Sequence, residues 1–475
     1  MPDLWVFHFL LRVLLVLTAI ALYFFIRGKI NSIASRLIII IIAFGMVNLT
    51  SSSVPSPYDA YYHFQNSMKL MDSSKFHLDN YYYEWPGFFA LGYMVYKLSG
   101  LEPVTFLKAY EMLSKLAFLI ILQELILIIS RKYCIEKNAD IVFLVSVMIN
   151  PWVQFHYSPQ SFSNILAILF LINIVKSLDS DNKLINLYSL ANLLILVILV
   201  PTHPPTFIFL TAIFLLHYVT AKVLFLERKT SYNPKCFELL ALPVWIGWLM
   251  MVAANTKSTF SEILLDTGKY KVVEIISAGI GSGVAEKILA NSLALLIFFV
   301  SLYQIAVFAR NINTPRAKYD YLLASYTIVF LFFLSGIFFS QSNFVDRPLS
   351  YLAIISPVIL FKEYYKKKLV RKIVTTMIIL LAITGFLTLN KDYNAYHVEQ
   401  IELEAGTKFN YTMEESGFLF HPQNHFKKIN GYYFFSENSG YWHSREEFEF
   451  KKKMLERKRL VYSNGIVRVY SDSSS

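Results

Sequence analysis

Long apolar runs recur along most of this 475-residue chain, and they constrain its fold more than any other feature. Several reach the roughly 17–25 residues that a helix needs to cross the hydrocarbon core of a bilayer. A segment in lipid must satisfy its own backbone hydrogen bonds, so each run is predicted to be helical. The pattern predicts an all-α polytopic membrane protein with about twelve transmembrane helices. The runs are Trp5–Ile26, Leu37–Val47, 104–129, 139–151, 158–175, 184–201, 203–220, 236–254, 286–309, 320–341, 347–361 and 370–389.

The charge of the chain is explained by membrane topology rather than by a nucleic-acid partner. Only 16% of the residues are charged and 55% are hydrophobic, whereas a soluble domain carries about 25% charge. The net charge is +11, but the basic residues fall in short loops between apolar runs, as in cytoplasmic turns of membrane proteins. We therefore expect no nucleic-acid binding. Cys134 and Cys236 give neither a disulfide framework nor a metal motif.

Every second loop is basic, and this alternation predicts the orientation of the chain. The loops between them carry almost no Lys or Arg, so they are assigned to the extracytoplasmic side. This topology predicts a multi-pass protein of the cell membrane, with residues 51–103 as its first extracytoplasmic loop. The basic turns assigned to the cytoplasm are Arg27–Arg36, Arg131–Lys137, Lys176–Lys183, Lys222–Lys235, Arg310–Lys318 and Lys362–Lys372.

The chain divides into two parts by composition. Residues 1–389 form the multi-span transmembrane domain, and residues 390–475 are predicted to be a small soluble extracytoplasmic α+β domain. Within that tail, Lys458–Tyr470 places apolar residues on both sides of an Asn-Gly pair. This pattern is a strong signal for a β-hairpin.

The first outer loop contains the residue that we predict to be catalytic. It opens with Val54-Pro-Ser-Pro-Tyr-Asp-Ala-Tyr-Tyr-His63, which puts Asp59 just beyond an apolar run and His63 four residues later. Asp59 could also cap a helix that starts at Ala60, because Asp is a favoured N-cap residue, and capping does not exclude catalysis. Glu84 in the same loop is a second candidate carboxylate, or else a solvated loop residue.

The other polar residues assigned to the outer face are predicted to bind substrate. Each also has a structural interpretation: a histidine beside proline satisfies backbone groups at a broken helix end, and an arginine reaches the lipid headgroups. Both interpretations stay open at this point. The candidates are His63, His156, Gln160, His203 and Arg347.

These residue types suit transfer from a lipid-phosphate donor. A carboxylate such as Asp59 takes the proton from an acceptor hydroxyl, or holds a divalent cation (Mg or Mn) that neutralises the phosphate. Arginine binds phosphate through two parallel hydrogen bonds. The tyrosines and tryptophan of the first loop offer walls for a sugar and a prenyl chain. The absence of a nucleotide-binding motif favours a donor drawn from the membrane.

The string Asp59-Ala-Tyr-Tyr-His63 after an early span resembles the first-loop acidic motif of the GT-C superfamily of membrane glycosyltransferases. It is similar to the string of archaeal oligosaccharyltransferase catalytic subunits. The Glu84-Trp-Pro-Gly and Asn150-Pro-Trp…Ser158-Pro-Gln160 segments resemble membrane glycosyltransferases of prokaryotic surface-glycan pathways. The resemblance covers roughly the first 210 residues in layout. It implies a polyprenyl- or dolichyl-phosphate sugar donor and inverting transfer, with Asp59 as general base or metal-linked carboxylate.

The chain departs from the oligosaccharyltransferases in ways that bear on the acceptor. It has no Trp-Trp-Asp-Tyr-Gly motif, and no second acidic residue adjoins Asp59. We therefore expect a hexosyl- or pentosyltransferase that acts on a lipid-linked glycan or another surface acceptor. Two alternatives remain: a transporter or flippase for a lipid-linked glycan, and a polymerase or ligase that uses the outer loop 255–286.

Overall fold

A computed structural model of the chain describes most of the apolar part and part of the tail. The described residues are 2–47, 58–72, 81–178, 187–226, 237–253, 284–311, 317–337, 346–364, 371–372, 375–380, 408–409, 411, 428–429, 432–436, 445–456, 458–463 and 467–471. Most of loop 255–286 and the residues before Tyr58 in the first outer loop lie outside this set. So does most of the run 370–389.

Helices occupy the apolar runs wherever the structure describes them. Short 3-10 turns at Arg27–Lys29, Tyr81–Glu84, Glu136–Asn138 and Phe237–Leu240 connect some of them. The helices are α1 (Pro2–Ile26), α2 (Ser32–Val47), α3 (Tyr58–Asp72), α4 (Gly87–Ser99), α5 (Pro103–Lys132), α6 (Ala139–Met148), α7 (Pro159–Ser177), α8 (Leu187–Thr202), α9 (Pro204–Leu226), α10 (Ala241–Met251), α11 (Val284–Asn311), α12 (Ala317–Ile337), α13 (Asp346–Tyr364) and α14 (Arg445–Glu456).

Within the described residues, four helical segments are long and apolar enough to cross a membrane, which identifies a membrane protein by length and composition. They are Pro103–Lys132, Pro159–Ser177, Pro204–Lys222 and Ser292–Ala309. Four shorter apolar helices accompany them, at Ser32–Val47, Leu187–Thr202, Glu238–Met251 and Tyr319–Phe332. The prediction of about twelve spans is thus not confirmed beyond these segments, and the number of crossings stays a prediction.

One predicted span is too short in the structure. The run 139–151 forms a helix only over Ala139–Met148, which is 10 residues long. At 1.5 Å per residue such a helix covers about 15 Å, half of a hydrocarbon core. Pro151 explains the early end, because the residue before a proline is pushed out of the helical region.

Turns that the sequence assigned to one side of the membrane meet at one end of the helix bundle. Arg27 Nε lies 3.3 Å from Asp140 Oδ2, which joins the first turn to the start of α6. The Tyr133 hydroxyl donates to Asp320 at 2.8 Å, and Lys362 Nζ lies 2.5 Å from the same carboxylate. We call this the charged end of the bundle. Its formation agrees with the predicted alternation of loops, while its cytoplasmic placement stays a prediction.

The outward surface of the bundle is apolar. Leu113, Phe332 and Leu194 are 66%, 69% and 55% exposed, although each lies on a helix of the bundle. Exposed apolar side chains over a wide surface mark a region that contacts lipid or protein rather than water. The interior is one continuous hydrophobic cluster that includes residues from α1, α2 and α5 through α13.

The C-terminal tail contains a four-stranded antiparallel sheet. Its strands are β1 (Lys428–Ile429), β2 (Tyr432–Ser436), β3 (Arg459–Ser463) and β4 (Val467–Ser471), in the order β1-β2-β4-β3. β3 and β4 pair antiparallel, which confirms the strands of the predicted hairpin; the turn itself lies outside the described residues.

One face of this sheet belongs to the same hydrophobic cluster as the first outer loop. Phe434, Val467 and Val469 are buried there with Ala60 and Phe64 of α3. On the other face, Leu455 of α14 clusters with Phe435 and Tyr470. The sheet therefore braces α3, the helix that carries Asp59. The domain boundary at residue 390 stays a prediction.

Tyr157 is the centre of an aromatic cluster that holds α3, α4 and α5 together. Its hydroxyl lies 2.8 Å from Ser67 Oγ on α3, and its ring centroid lies 4.7 Å from that of Phe88 and 5.1 Å from that of Tyr110. The ring passes directly over Gly92 of α4, where an added Cβ would collide with the Tyr157 hydroxyl. Glycine at position 92 is therefore required by the close approach of the tyrosine.

We expect Gly92→Ala to destabilise the protein by about 1–3 kcal/mol, because the extra methyl group overpacks a filled site. The measurement is thermal unfolding of the purified protein in detergent. Gly45→Ala on α2 is the matched control, since the nearest atom to its added Cβ is 3.9 Å away. The control also measures the gain in helix propensity. Equal unfolding temperatures for the two variants would contradict the packing described here.

Candidate functional site

Asp59 and His63 are presented by α3. The helix begins at Tyr58, two residues before Ala60, so Asp59 lies inside its first turn rather than at its cap. Free N–H groups and the helix dipole stabilise a negative charge at that position. His63 follows one turn later, on the same face, and is only 7% exposed. Its ring centroid lies 5.8 Å from that of Phe89 on α4.

His156 lies near Asp59, in the loop between α6 and α7. It is buried, and burial lowers the pKa of its imidazole; the charges of Asp59 and Glu111 act in the opposite direction and therefore lie close to it. Its Nε2 atom is buried and has no hydrogen-bond partner within the described part of the chain. The imidazole is thus neutral near pH 7 and lies within electrostatic range of the Asp59 carboxylate.

A buried ion pair lies close to His156. Glu111 and Lys115 are both 6% exposed on α5, and Lys115 Nζ lies 2.6 Å from Glu111 Oε1. Charges inside a membrane segment are expensive and mark functional sites or substrate paths. This pair is not among the predicted site residues, although a Glu and a Lys four residues apart in the apolar run 104–129 are a usable sequence signal.

Arg347 is joined to Gln160 at the same end of the bundle. α7 begins with a Ser158 N-cap, whose hydroxyl accepts from the Ser161 amide at 3.2 Å, so Gln160 stands in the first turn. The Arg347 Nε atom donates to Gln160 Oε1 at 3.1 Å. Arg347 is half-buried, whereas Gln160 is buried. This contact fixes the position of a charged guanidinium group at the site end.

His203 lies between α8 and α9 within a buried network of hydroxyl groups. Its Nδ1 atom lies 2.8 Å from Thr206 Oγ1 and 3.2 Å from Ser163 Oγ. Thr206 Oγ1 in turn lies 3.3 Å from the Tyr351 hydroxyl. The ring is 6% exposed, and burial first, then the charges of Arg347 and His63, hold its pKa well below the usual value. His203 is therefore neutral and close to both of those groups.

Glu84 is fully buried at the end of a 3-10 turn. Its backbone carbonyl accepts from Trp248 Nε1 of α10 at 2.9 Å. Three residues on, a Cβ built on Gly87 would stand 3.0 Å from the Pro201 carbonyl oxygen, so this segment presses on the end of α8 next to His203. The interpretation of Glu84 as a solvated loop residue is therefore wrong, and its catalytic role stays a prediction.

The sequence-predicted residues thus gather at the end of the bundle opposite the charged end. Asp59 and His63 share one helix, His156 lies within electrostatic range of Asp59, and His203 lies within electrostatic range of His63 and Arg347. We call the set Asp59, His63, His156, Gln160, His203 and Arg347 the site end. The hydroxyl partners of His203 were not foreseen, because a single Ser, Thr or Tyr in an apolar helix is an ordinary packing residue.

The predicted divalent cation has limited support from these side chains. Within the described residues, no group of three or more His, Cys, Asp or Glu residues could hold a metal ion. Magnesium is often held by one or two carboxylates together with waters and substrate phosphates, so Asp59 alone would suffice only with a bound donor. The cation remains a prediction.

Comparison with known proteins gives likeness of structure only. No family model matches the chain, and no curated protein matches its sequence. Solved structures of the Archaeoglobus fulgidus oligosaccharyltransferase do match. One of them, in complex with Zn and sulfate, is 13% identical to this chain, with a TM-score of 0.48. The match covers 85% of this chain and 60% of the oligosaccharyltransferase chain. A second is described as AglB in complex with an inhibitory peptide and a dolichol-phosphate, and it is 10% identical with a TM-score of 0.48. It covers 82% of this chain and 60% of its own.

A third structure is tethered with an acceptor peptide containing the NVT sequon. It is 12% identical with a TM-score of 0.46, and covers 82% of this chain and 59% of its own. The present chain therefore spans about three fifths of the length of these enzymes. Because the overlaps are partial, the function is inferred below from the residues of this chain.

Proposed function

We propose that this protein is a glycosyltransferase of GT-C type. It moves a hexosyl or pentosyl unit from a polyprenyl- or dolichyl-phosphate donor to a lipid-linked glycan or another surface acceptor. The reaction inverts the anomeric centre and takes place at the extracytoplasmic face of a multi-pass membrane protein. The observation that carries this proposal is the gathering of one carboxylate, one arginine and three buried imidazoles at the site end.

Arg347 and its neighbours are suited to the phosphate of the donor. The guanidinium group is always charged, and Gln160 fixes the position of its Nε atom, so a localised positive charge stands at the site end to attract an anion. His203 lies close to it and adds a neutral hydrogen-bonding group, and the His63 imidazole lies close to His203. His156 and Gln160 complete the polar wall. A phosphate placed there would have its prenyl chain in lipid beside the apolar bundle surface.

Asp59 is suited to the acceptor. As a general base it removes the hydroxyl proton while the acceptor oxygen bonds to the anomeric carbon and the bond from that carbon to the phosphate oxygen breaks. The phosphate keeps the electron pair and leaves as the lipid phosphate. In the other form of the proposal, Asp59 holds a divalent cation that neutralises the phosphate. Glu84 is proposed as the second carboxylate of the site.

The test is sugar transfer by membranes and by purified protein, using a panel of radiolabelled polyprenyl-phosphate sugars. Transfer of label to an extractable acceptor, absent from membranes without the protein, is the expected result. Treatment with a chelator distinguishes the two roles proposed for Asp59. If Asp59 holds a divalent cation, the chelator abolishes transfer and added Mg or Mn restores it; if Asp59 is a general base, the chelator has no effect. Failure of every donor in the panel would overturn the proposal.

Arg347→Ala should raise the KM for the donor, because the variant loses a charge-assisted phosphate contact. Such a contact contributes about 1.5–3 kcal/mol, which corresponds to roughly 10–100-fold in KM. Initial rates at varied donor concentration measure it. Arg131→Ala at the charged end is the matched control, since Arg131 is exposed and lies 4.0 Å from Glu136. Equal KM values for the two variants would show that Arg347 does not bind the donor.

A transporter or flippase of lipid-linked glycans is the second candidate, and the buried Glu111–Lys115 pair inside α5 favours it. Proteoliposomes loaded with a fluorescent lipid-linked glycan distinguish the two. Movement across the bilayer without any transfer product would favour transport. The polymerase or ligase alternative depended on loop 255–286, most of which lies outside the described residues.

A further inference from the structure

We infer that Glu238 is a proton-binding site, whose side chain is held as a neutral carboxylic acid between α8 and the 3-10 turn that precedes α10. The ligand of this site is the proton itself. The inference does not depend on the proposed function, because Glu238 belongs neither to the site end nor to the charged end as defined above. It assigns a role to a buried acidic residue that the proposed transfer reaction does not use.

The carboxyl group of Glu238 is enclosed by protein. Glu238 is 3% exposed and lies in the 3-10 turn Phe237–Leu240, which packs against α8 and α9. Ser189 and Asn192 of α8 are 3% and 0% exposed, and both side chains lie within hydrogen-bonding reach of the carboxyl group. The backbone N–H of Glu238 also meets its own carboxyl group. The surroundings are therefore polar but closed to water.

No charged group balances this carboxyl group among the described residues. Titratable side chains near this end of the packed helices are Tyr188 of α8 and His217, Tyr218 and Lys222 of α9, and Ala241–Met251 of α10 contains none. None of them acts on the Glu238 carboxyl group, whose polar neighbours are its own backbone, Ser189 and Asn192. A buried ionised carboxylate without a countercharge is so costly that the group takes up a proton instead.

A proton also satisfies atoms that are otherwise left without partners. Within the part of the chain that the structure describes, Glu238 Oε2 and both terminal atoms of the Asn192 amide are buried and make no hydrogen bond. A carboxylate only accepts hydrogen bonds, so it would leave the amide oxygen of Asn192 without a donor. A protonated carboxyl group donates to that oxygen and accepts from the amide nitrogen. One proton thus gives all three atoms a partner.

The protonated state bears on the helix that follows. Trp248 of α10 donates from Nε1 to the Glu84 backbone carbonyl at 2.9 Å. Because Glu238 joins the start of α10 to α8, loss of its proton would place an unpaired charge in that contact and weaken it. The bound proton therefore helps to hold the helix that supports Glu84.

Infrared spectroscopy of the purified protein tests the protonation state directly. A protonated carboxyl group has a C=O stretching band that is separate from the bands of carboxylates. We expect such a band in the wild type at neutral pH, lost in Glu238→Gln and shifted in Asn192→Leu, which removes the hydrogen-bond partner. If Glu238→Gln leaves the carboxylic acid bands of the neutral-pH spectrum unchanged, Glu238 is ionised and the inference is wrong.

Thermal unfolding in detergent gives a second readout, with Glu111→Gln as the matched control. The same substitution at Glu111 removes an ionised carboxylate whose partner is Lys115, so it should lower the unfolding temperature by roughly 5 °C or more. Glu238→Gln should unfold within about 2 °C of wild type, since a neutral amide replaces a neutral acid of similar shape. A loss as large as that of Glu111→Gln would show that Glu238 is a paired carboxylate and would overturn the inference. Neither readout requires sugar transfer, so failure of the proposed function leaves this test intact.

Discussion

Asp59→Asn is expected to lower kcat for sugar transfer by about 10²–10⁴-fold. The variant protein should fold and insert into the membrane as the wild type does. Asparagine keeps the size of the side chain and suits the first turn of a helix, but it cannot accept a proton at neutral pH. Asp59 is half-buried in the first turn of α3 and lies near the neutral His156. The measurement is the initial rate with saturating labelled donor and acceptor.

Glu102→Gln is the matched control for this loss. Glu102 is an exposed carboxylate that precedes α5 and makes no side-chain cap, so its removal changes charge near the same end of the bundle without touching the site. The control should keep full activity. If Asp59→Asn were as active as Glu102→Gln, the carboxylate would be only a helix-stabilising group, and the catalytic base would have to be sought elsewhere.

Glu111→Gln should destabilise the protein by about 3–5 kcal/mol, because it leaves the buried ammonium group of Lys115 without its countercharge. The two groups are 2.6 Å apart on successive turns of α5 and both are buried. Unfolding in detergent, followed by circular dichroism against temperature or denaturant, measures the loss. Less of the variant protein should accumulate in the membrane, because the loss in free energy of unfolding is comparable to the total stability of a typical domain.

The double variant Glu111→Leu with Lys115→Met separates stability from function. Replacement of a buried ion pair by apolar residues of similar volume is often neutral or stabilising, so the double variant should unfold near the wild-type midpoint. If it folds and transfers sugar normally, the pair is structural. If it folds but loses transfer, Glu111 acts through the adjacent His156. A single Glu111→Gln variant as stable as wild type would contradict the buried pair itself.

The sequence nominated candidate site residues, whose roles stay predictions, but it did not reveal which of them meet. Asp59 and His63 could be linked from the sequence, because residues four apart in a helix share a face. The same holds for the Lys458–Tyr470 hairpin, whose strands are separated by a short turn signal. By contrast, Arg347 meets a partner 187 residues away, and Thr206 meets Ser163 at a separation of 43. No local pattern encodes such contacts.

The run 139–151 shows where local reasoning failed within a single element. Its composition is apolar throughout, so hydropathy predicted a span, yet its helix ends at Met148 before Pro151. Hydropathy measures the transfer of side chains and does not register where the backbone must leave the helix. The loop that follows carries His156 and Tyr157 into the protein interior.

The sequence by itself determined that the chain is helical and membrane-bound, because each apolar run must close its own backbone hydrogen bonds in lipid. It also determined which residues stand at alternate ends, since the basic loops alternate along the chain. Only the tertiary structure decided that the Glu111–Lys115 pair is buried near His156, that Ser163 meets His203 and Thr206 from another helix, and that the tail sheet braces α3. These relations arise from how helices pack, and packing is fixed by the sum of many distant contacts rather than by any one segment.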